Sequence, residues 1–215
     1  MYVTGYYWTI RNTVQIKSTI KKSRFIASVQ EIKDEQETRI FLKSISQQFP
    51  DASHHCWAYQ YGIGNDVICQ YSDGGEPANS AGPPILQAIK KEEINNVMVI
   101  VTRYFGGIKL GISGLVRAYR DSALKGLRAA GKIKKIPLRS YIIENIKYPV
   151  LGNILQSIES QSGVIENIEY GEKVRVKMFL PDRLQDWVIQ MVKNVSKGEA
   201  SIHINEIKWY DKKIK

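Results

Sequence analysis

Apolar residues along the chain fall into two alternating periods. Near the N-terminus, Val14–Thr19 and Arg24–Ile32 read as an extended pair, the second setting Phe25, Ala27 and Val29 against polar neighbours. From about Asp34 to Gln48 the period lengthens. Ile40, Phe41, Ile45 and Phe49 recur at helical spacing, Asp34 is a natural N-cap, and Glu37 follows three residues later as in a capping box. Pro50 ends that helix. Strands are expected at Cys56–Tyr61 and Val67–Tyr71, joined by the hairpin turn Gly62-Ile63-Gly64-Asn65-Asp66, and a helix at Ser80–Lys91. The short β-branched run Val97–Val101 predicts a strand buried on both faces. It leads directly into a glycine-rich loop, after which Leu115, Ala118, Tyr119 and Leu127 keep helical spacing to about Ala130, with Gly131 as the stop.

Basic residues and Pro137 follow in Lys132–Pro137, a stretch that reads as a linker. Beyond it the pattern predicts strand 138–147, helix 150–161, strand 163–170, strand 173–180, helix 181–195 and strand 200–210. That βαββαβ order is the ferredoxin-like signature, with Pro181 and Asp182 opening the second helix. The expected fold class is α+β in two domains, residues 1–133 and 138–215.

Composition narrows the class. At 215 residues, 43% hydrophobic and 24% charged, the chain is ordinary globular protein and excludes disorder. Lys and Arg outnumber Asp and Glu by 31 to 21, a net +10 that favours anionic partners such as RNA or the ribosome. Residues 1–131 carry 16 basic and 11 acidic side chains and residues 132–215 carry 15 and 10, so each part is net +5 and no basic tail accounts for the excess. Two cysteines, Cys56 and Cys69, suit a reducing compartment, with the cytoplasm as the expected location. The opening stretch to Asn12 lacks the basic and apolar regions of a signal peptide, and no run approaches the roughly 18 apolar residues of a membrane span.

Three constellations carry candidate chemistry. Asp73, Gly74, Gly75 and Glu76 lie between a strand and a helix. Two carboxylates three residues apart can hold a hard cation or work as an acid/base pair, and they can equally build a turn and cap the following helix. His54, His55 and Cys56, with Cys69 on the next strand, contain zinc-ligand and nucleophile chemistry. Alternation along a strand lets His54 share a face with Cys56 and sends His55 to the other, too few ligands for a zinc finger, and no metal or cofactor is expected. The third is the loop from Arg103 to Arg117. A strand running through glycines into a helix start exposes N–H groups at the positive end of the helix dipole. The candidate anion or nucleic-acid contacts are Arg103, Gly106, Gly107, Lys109, Gly111, Ser113 as N-cap, Gly114, Arg117 and Arg120. The run matches neither the dinucleotide fingerprint nor the P-loop, and its glycines also suit a sharp turn and close packing.

Together, Lys21-Lys22-Ser23-Arg24-Phe25-Ile26-Ala27, His54-His55-Cys56-Trp57-Ala58-Tyr59, Ser72-Asp73-Gly74-Gly75-Glu76-Pro77 and Arg103 to Tyr119 closely resemble the IMPACT family. The resemblance implies an N-terminal domain like the second domain of ribosomal protein S five and a C-terminal ferredoxin-like domain similar to the last domain of elongation factor G. It also implies a link to translation, because the family's eukaryotic members restrain a starvation-responsive translation kinase. Those members add another module and act by competing for the kinase's co-activator; this chain is expected to lack that module, so the resemblance does not carry the kinase role over. Three positions depart from the family pattern: Gly74 stands where it has Asp, Ser113 where glycine is common, and Asn79-Ser80 where Gly-Thr is usual. The expected function is that of a non-catalytic RNA- or ribosome-binding regulator. The alternatives are a small-molecule hydrolase using His54 or His55 with Asp73 and Glu76, and a protein-interaction module anchored by Tyr104 and Phe105.

Overall fold

The computed structural model describes residues 5–212, so residues 1–4 of the opening stretch and residues 213–215 lie outside it. Five helices and two sheets form two compact units, one of Tyr7–Lys134 and one built on the chain from Lys135 onward. No described helix is long and apolar enough to cross a membrane.

In the first unit, β1 (Tyr7–Ile10) precedes the hairpin of β2 (Val14–Ile20) and β3 (Ser23–Glu31). Helix α1 (Glu35–Gln48) begins as its sequence predicts: the Glu37 N–H donates to Asp34 Oδ1 at 2.8 Å. The Glu37 carboxylate reaches back to the N–H of Lys33, one residue before the usual capping-box partner. Then come β4 (His54–Tyr61), a 3-10 turn, β5 (Ile68–Ser72), α2 (Gly82–Lys91), β6 (Val97–Tyr104) and α3 (Ile112–Ala130). The sheet order is β2-β3-β6-β4-β5, antiparallel throughout, so β6 is central.

The alternation of strand side chains decides what covers each face. Val97, Val99 and Val101 of β6 pack with Phe25, Ala27, Cys56 and Ala58 under α2 and α3. Met98 and Ile100 point the other way, against Phe41 and Ile45 of α1 with Tyr59 and Ile32. The continuous apolar run of β6 is thus what a strand covered on both sides requires, here within an antiparallel sheet.

The second unit holds most of β7 (Lys132–Ile146), then α4 (Tyr148–Ser160), β8 (Val164–Glu169), β9 (Val174–Pro181), α5 (Gln185–Ser196) and β10 (Ser201–Lys212). Strand β9 lies between β7 and β8, and β10 pairs with the other edge of β7. Ile154 and Ile158 of α4 and Val188 and Val192 of α5 bury against Ile143, Val176 and Met178 of the sheet.

Two local expectations are corrected. Residues 132–137 are the start of the 15-residue strand β7 and form no linker. Their charges are matched, Lys132 to Glu92 at 3.8 Å and Lys135 to Asp211 at 2.6 Å, and Ile133 and Ile136 suit a strand. Pro181 ends β9, and a 3-10 turn at Asp182–Leu184 precedes α5, because Asp182 is buried in an ion pair with Arg139.

Candidate functional site

Register brings three side chains into one row on the face under α2 and α3. Phe25 of β3 lies opposite Arg103 of β6, and Arg103 lies opposite His54 of β4. Onto this row descend the loop after β5, carrying Glu76, and helix α3, carrying Tyr119. Tyr119 meets Phe25 edge-on at 5.4 Å between ring centres.

Glu76 is the hub. Its Oε1 accepts from Arg103 Nη1 at 2.5 Å and from the Tyr119 hydroxyl at 2.7 Å, and His54 Nε2 lies 3.9 Å away. The ion pair is almost wholly buried, with side-chain exposures of 4% for Glu76 and 5% for Arg103. Removing one partner from such a pair strands the other in a low dielectric. Arg103 Nη2 also donates to Ser23 Oγ at 3.3 Å. Within this pair, one polar atom on each side chain stays unused. Glu76 Oε2 accepts no hydrogen bond, and Arg103 Nε is buried without a partner, a cost of about 1–3 kcal/mol.

A cavity of about 380 Å³ opens over this pair. Glu76 and Arg103 line its floor, Phe105, Leu110 and Leu115 its walls, and Lys109, Gly111 and Ile112 its rim. Phe105 is half exposed, and the Arg103 guanidinium carbon sits 5.4 Å from its ring centre. Gly111, and not Ser113, is the N-cap of α3, with no side-chain cap, so the first-turn N–H groups remain as donors beside Lys109. A serine inside the first turn cannot fold back to cap it.

Not all of the predicted anion contacts gather here. Arg103, Lys109 and Gly111 do. Arg117 turns along its own helix to the Ser113 carbonyl, and Arg120 pairs with its neighbour Asp121 at 3.2 Å. Gly106 serves the packing of the loop instead. Its N–H donates to Ser23 Oγ, and a Cβ there would lie 2.1 Å from the Lys22 backbone. The glycine is what lets the loop press on the β2–β3 turn.

That turn is unusual. Lys21 and Lys22 form a two-residue hairpin loop with φ of 44° and 67°, the geometry that favours Asn-Gly. Left-handed backbone at a non-glycine residue costs roughly 1–2 kcal/mol. Both lysines are exposed, next to the glycine-rich loop.

Asp73 is committed elsewhere. Its carboxylate accepts from the backbone N–H of Asn79, Ala81 and Gly82, the last two at 2.9 and 2.8 Å, and so holds the start of α2. It therefore does not share chemistry with Glu76, although both sit in one loop. Gly74 has φ +54°, and a Cβ there would lie 2.2 Å from the His55 carbonyl oxygen. The loop packs on the β4 backbone at the position where the resemblance expects a second Asp.

The histidines and cysteines separate as alternation requires. The Gly74 carbonyl accepts from His54 Nδ1 at 3.0 Å, which turns Nε2 toward Glu76. His55 is on the opposite face, against Thr102 Oγ1 at 3.1 Å, and burial lowers its pKa despite a raising bond from the Phe49 backbone. Cys56 donates its thiol to the Asp73 carbonyl, and burial pushes its pKa up to about 12, which removes it as a thiolate nucleophile. Burial, then the neighbouring Cys56 and Glu76, raise the Tyr119 pKa far above the ordinary phenol range. Among the described residues no three His, Cys, Asp or Glu side chains stand close enough to hold a metal. Tyr119 and Ser23 are site residues that the sequence pattern does not single out, though a tyrosine on the core face of a helix must find a partner for its hydroxyl.

Known proteins share this scaffold. The family model of the Impact N-terminal domain matches residues 21–127, the span that contains every residue of the cavity and of the lysine turn. IMPACT family member YvyE of Bacillus subtilis is 32% identical over 97% of this chain and 95% of its own length. IMPACT family member YigZ of Escherichia coli is 34% identical over 78% of this chain and 82% of its own length. A crystal structure described as that of a hypothetical protein superposes with a TM-score of 0.65 at 30% identity, over 95% of this chain and 99% of that one. The chain belongs to the IMPACT family.

Proposed function

We propose that the chain is a non-catalytic protein that binds single-stranded RNA, on the ribosome or free, and acts in the regulation of translation. The observation that carries the reading is the junction of the Lys21–Lys22 turn with the Gly106–Lys109 loop. Two lysines held in a costly backbone conformation, a third at Lys109 and a half-exposed Phe105 combine backbone-tracking charge with an aromatic platform. Strain of this kind persists where the surroundings enforce it, and it clusters at working surfaces. Arg24 adds a fourth cation, stacked 4.0 Å over the ring of Tyr104.

Fold assignment supports the same direction. On this reading residues 1–133 form a domain like the second domain of ribosomal protein S five. Residues 138–215 form a ferredoxin-like domain like the last of elongation factor G, in keeping with β9 lying between β7 and β8 and with β10 pairing with β7 in the sheet that β1 also joins. Both domain types recur in ribosome-associated proteins, and the resemblance to the eukaryotic members carries the link to translation. The hydrolase alternative has less support, because Asp73 caps α2 and Glu76 Oε1 is held by Arg103 and Tyr119.

Filter binding to an unstructured RNA oligomer and to ribosomal subunits tests this across about 50 to 200 mM salt, where phosphate contacts make affinity fall steeply. Replacing both Lys21 and Lys22 by alanine should reduce the log–log salt slope by about 1.4, the share of two phosphates on a single strand. Absence of any salt-sensitive binding by the unaltered chain overturns the proposal.

A further inference from the structure

We propose that the cavity over Glu76 and Arg103 is a nucleotide subsite that takes one unstacked guanine, its phosphate resting on Lys109 and the first turn of α3. The inference rests on the RNA-binding reading and goes further by naming the base.

The floor supplies the argument. Glu76 is nine-tenths buried and lines the cavity, yet only its Oε1 is engaged by the protein, and Arg103 Nε is buried without a partner. The idle acceptor of Glu76 and the guanidinium of Arg103 therefore belong to one buried ion pair that lines a 380 Å³ space, a volume within the range of small-ligand pockets. The two charges neutralise each other across a 2.5 Å contact. Neither a free cation nor a free anion is then the natural match for the floor. A neutral edge with N–H donors next to a carbonyl is. Guanine has that edge: N1–H and the N2 amino group face a carboxylate oxygen while O6 faces a guanidinium N–H. Uracil flanks its single N–H with two carbonyls, one of which would face the carboxylate. Adenine and cytosine each offer one donor group and set a bare ring nitrogen beside it.

The walls and rim agree. Phe105, Leu110 and Leu115 form an apolar slot beside an aromatic face, the surroundings in which a splayed-out base stacks. Lys109 and the uncapped start of α3 supply positive charge at the mouth, where the sugar-phosphate would emerge.

Titration calorimetry of the full chain with 5′-GMP, AMP, CMP and UMP at low salt tests the subsite. The expected result is GMP binding at least about tenfold tighter than UMP, since a site built from hydrogen bonds rejects the wrong edge. Phe105→Ala, on a half-exposed side chain outside the core, should weaken GMP by about tenfold. Glu76→Gln should abolish the preference over UMP, because an amide can turn a donor toward N1–H. Equal binding of the four nucleotides, no GMP binding, or GMP binding unchanged in both variants overturns the subsite. Binding of oligo(U) separates the two proposals. A chain that holds oligo(U) with a steep salt slope but ignores GMP loses the subsite and keeps the RNA reading. One that prefers GMP but holds no RNA keeps the subsite as a free-nucleotide site and loses the RNA reading.

Discussion

Ser72–Pro77 and Arg103–Gly114 both carry the chain from a strand to a helix, and both set glycines among charged residues. They differ in where their polar groups end up. In the first loop, the Asp73 carboxylate receives three backbone N–H groups, the Gly74 carbonyl takes the His54 ring, and the Asp73 carbonyl takes the Cys56 thiol. In the second, Lys109 and Phe105 lie at the surface, and the helix that follows starts without a side-chain cap. Similar composition therefore serves closure in one loop and leaves donors open in the other. The lesson is that hydrogen-bond accounting separates a structural loop from an available one where residue content does not.

The contrast breaks most visibly at the one residue that joins the loops. Glu76→Ala leaves Arg103 charged and buried, and should cost about 3–5 kcal/mol in urea unfolding. The double variant Glu76→Leu with Arg103→Met should recover much of that loss, and an additive cycle would mean that the pair is not coupled. Next in size is Gly106→Ala, whose new methyl meets the Lys22 backbone and should cost about 1–3 kcal/mol. Within the closed loop, Asp73→Ala removes the cap of α2 and should cost about 1–2 kcal/mol. Lys109→Ala in the open loop should stay within about 0.5 kcal/mol of the parent while weakening RNA binding. Equal stability losses at Asp73 and Lys109 would erase the distinction between the loops.

The smallest effect is a pH dependence from the opposite face of the sheet. Burial lowers the His55 pKa in the folded state, so the unfolded chain binds more protons below the ordinary histidine value of about 6.5. Stability from this group is fully present above that pH and declines as pH falls below it. Denaturation midpoints between about pH 7 and 5 should drop less steeply for His55→Gln than for the parent.

How much of this is legible in the sequence depends on the range of the interaction. Asp34 with Glu37, the run Val97–Val101 and the stop at Gly131 are local signals, and each corresponds to a feature of the structure. The separation of His54 from His55 follows from strand alternation alone. Strand Tyr7–Ile10, only four residues long, is too short for its alternation to stand out. The first six residues of the strand, 132–137, look like a linker in sequence because the carboxylates that answer its lysines are Glu92 and Asp211, far away in the chain. Ser113 has the right chemistry for a cap, but the helix begins one residue before it. The Glu76–Arg103–Tyr119 cluster spans separations of 27 and 43 residues, and no periodicity encodes which carboxylate meets which guanidinium. Residue types thus point to the two loops, and only the assembled sheet assigns their roles.

The central place of β6 has a consequence for biosynthesis. Strands β2 and β3 form one hairpin and β4 and β5 another, and only β6 joins them. A nascent chain that has not yet delivered Tyr104 from the exit tunnel carries two separate ribbons, each marginal by itself in water, with facing edges unpaired. Truncations just before Val97 are therefore expected to aggregate, whereas the arrival of eight further residues turns two ribbons into one sheet.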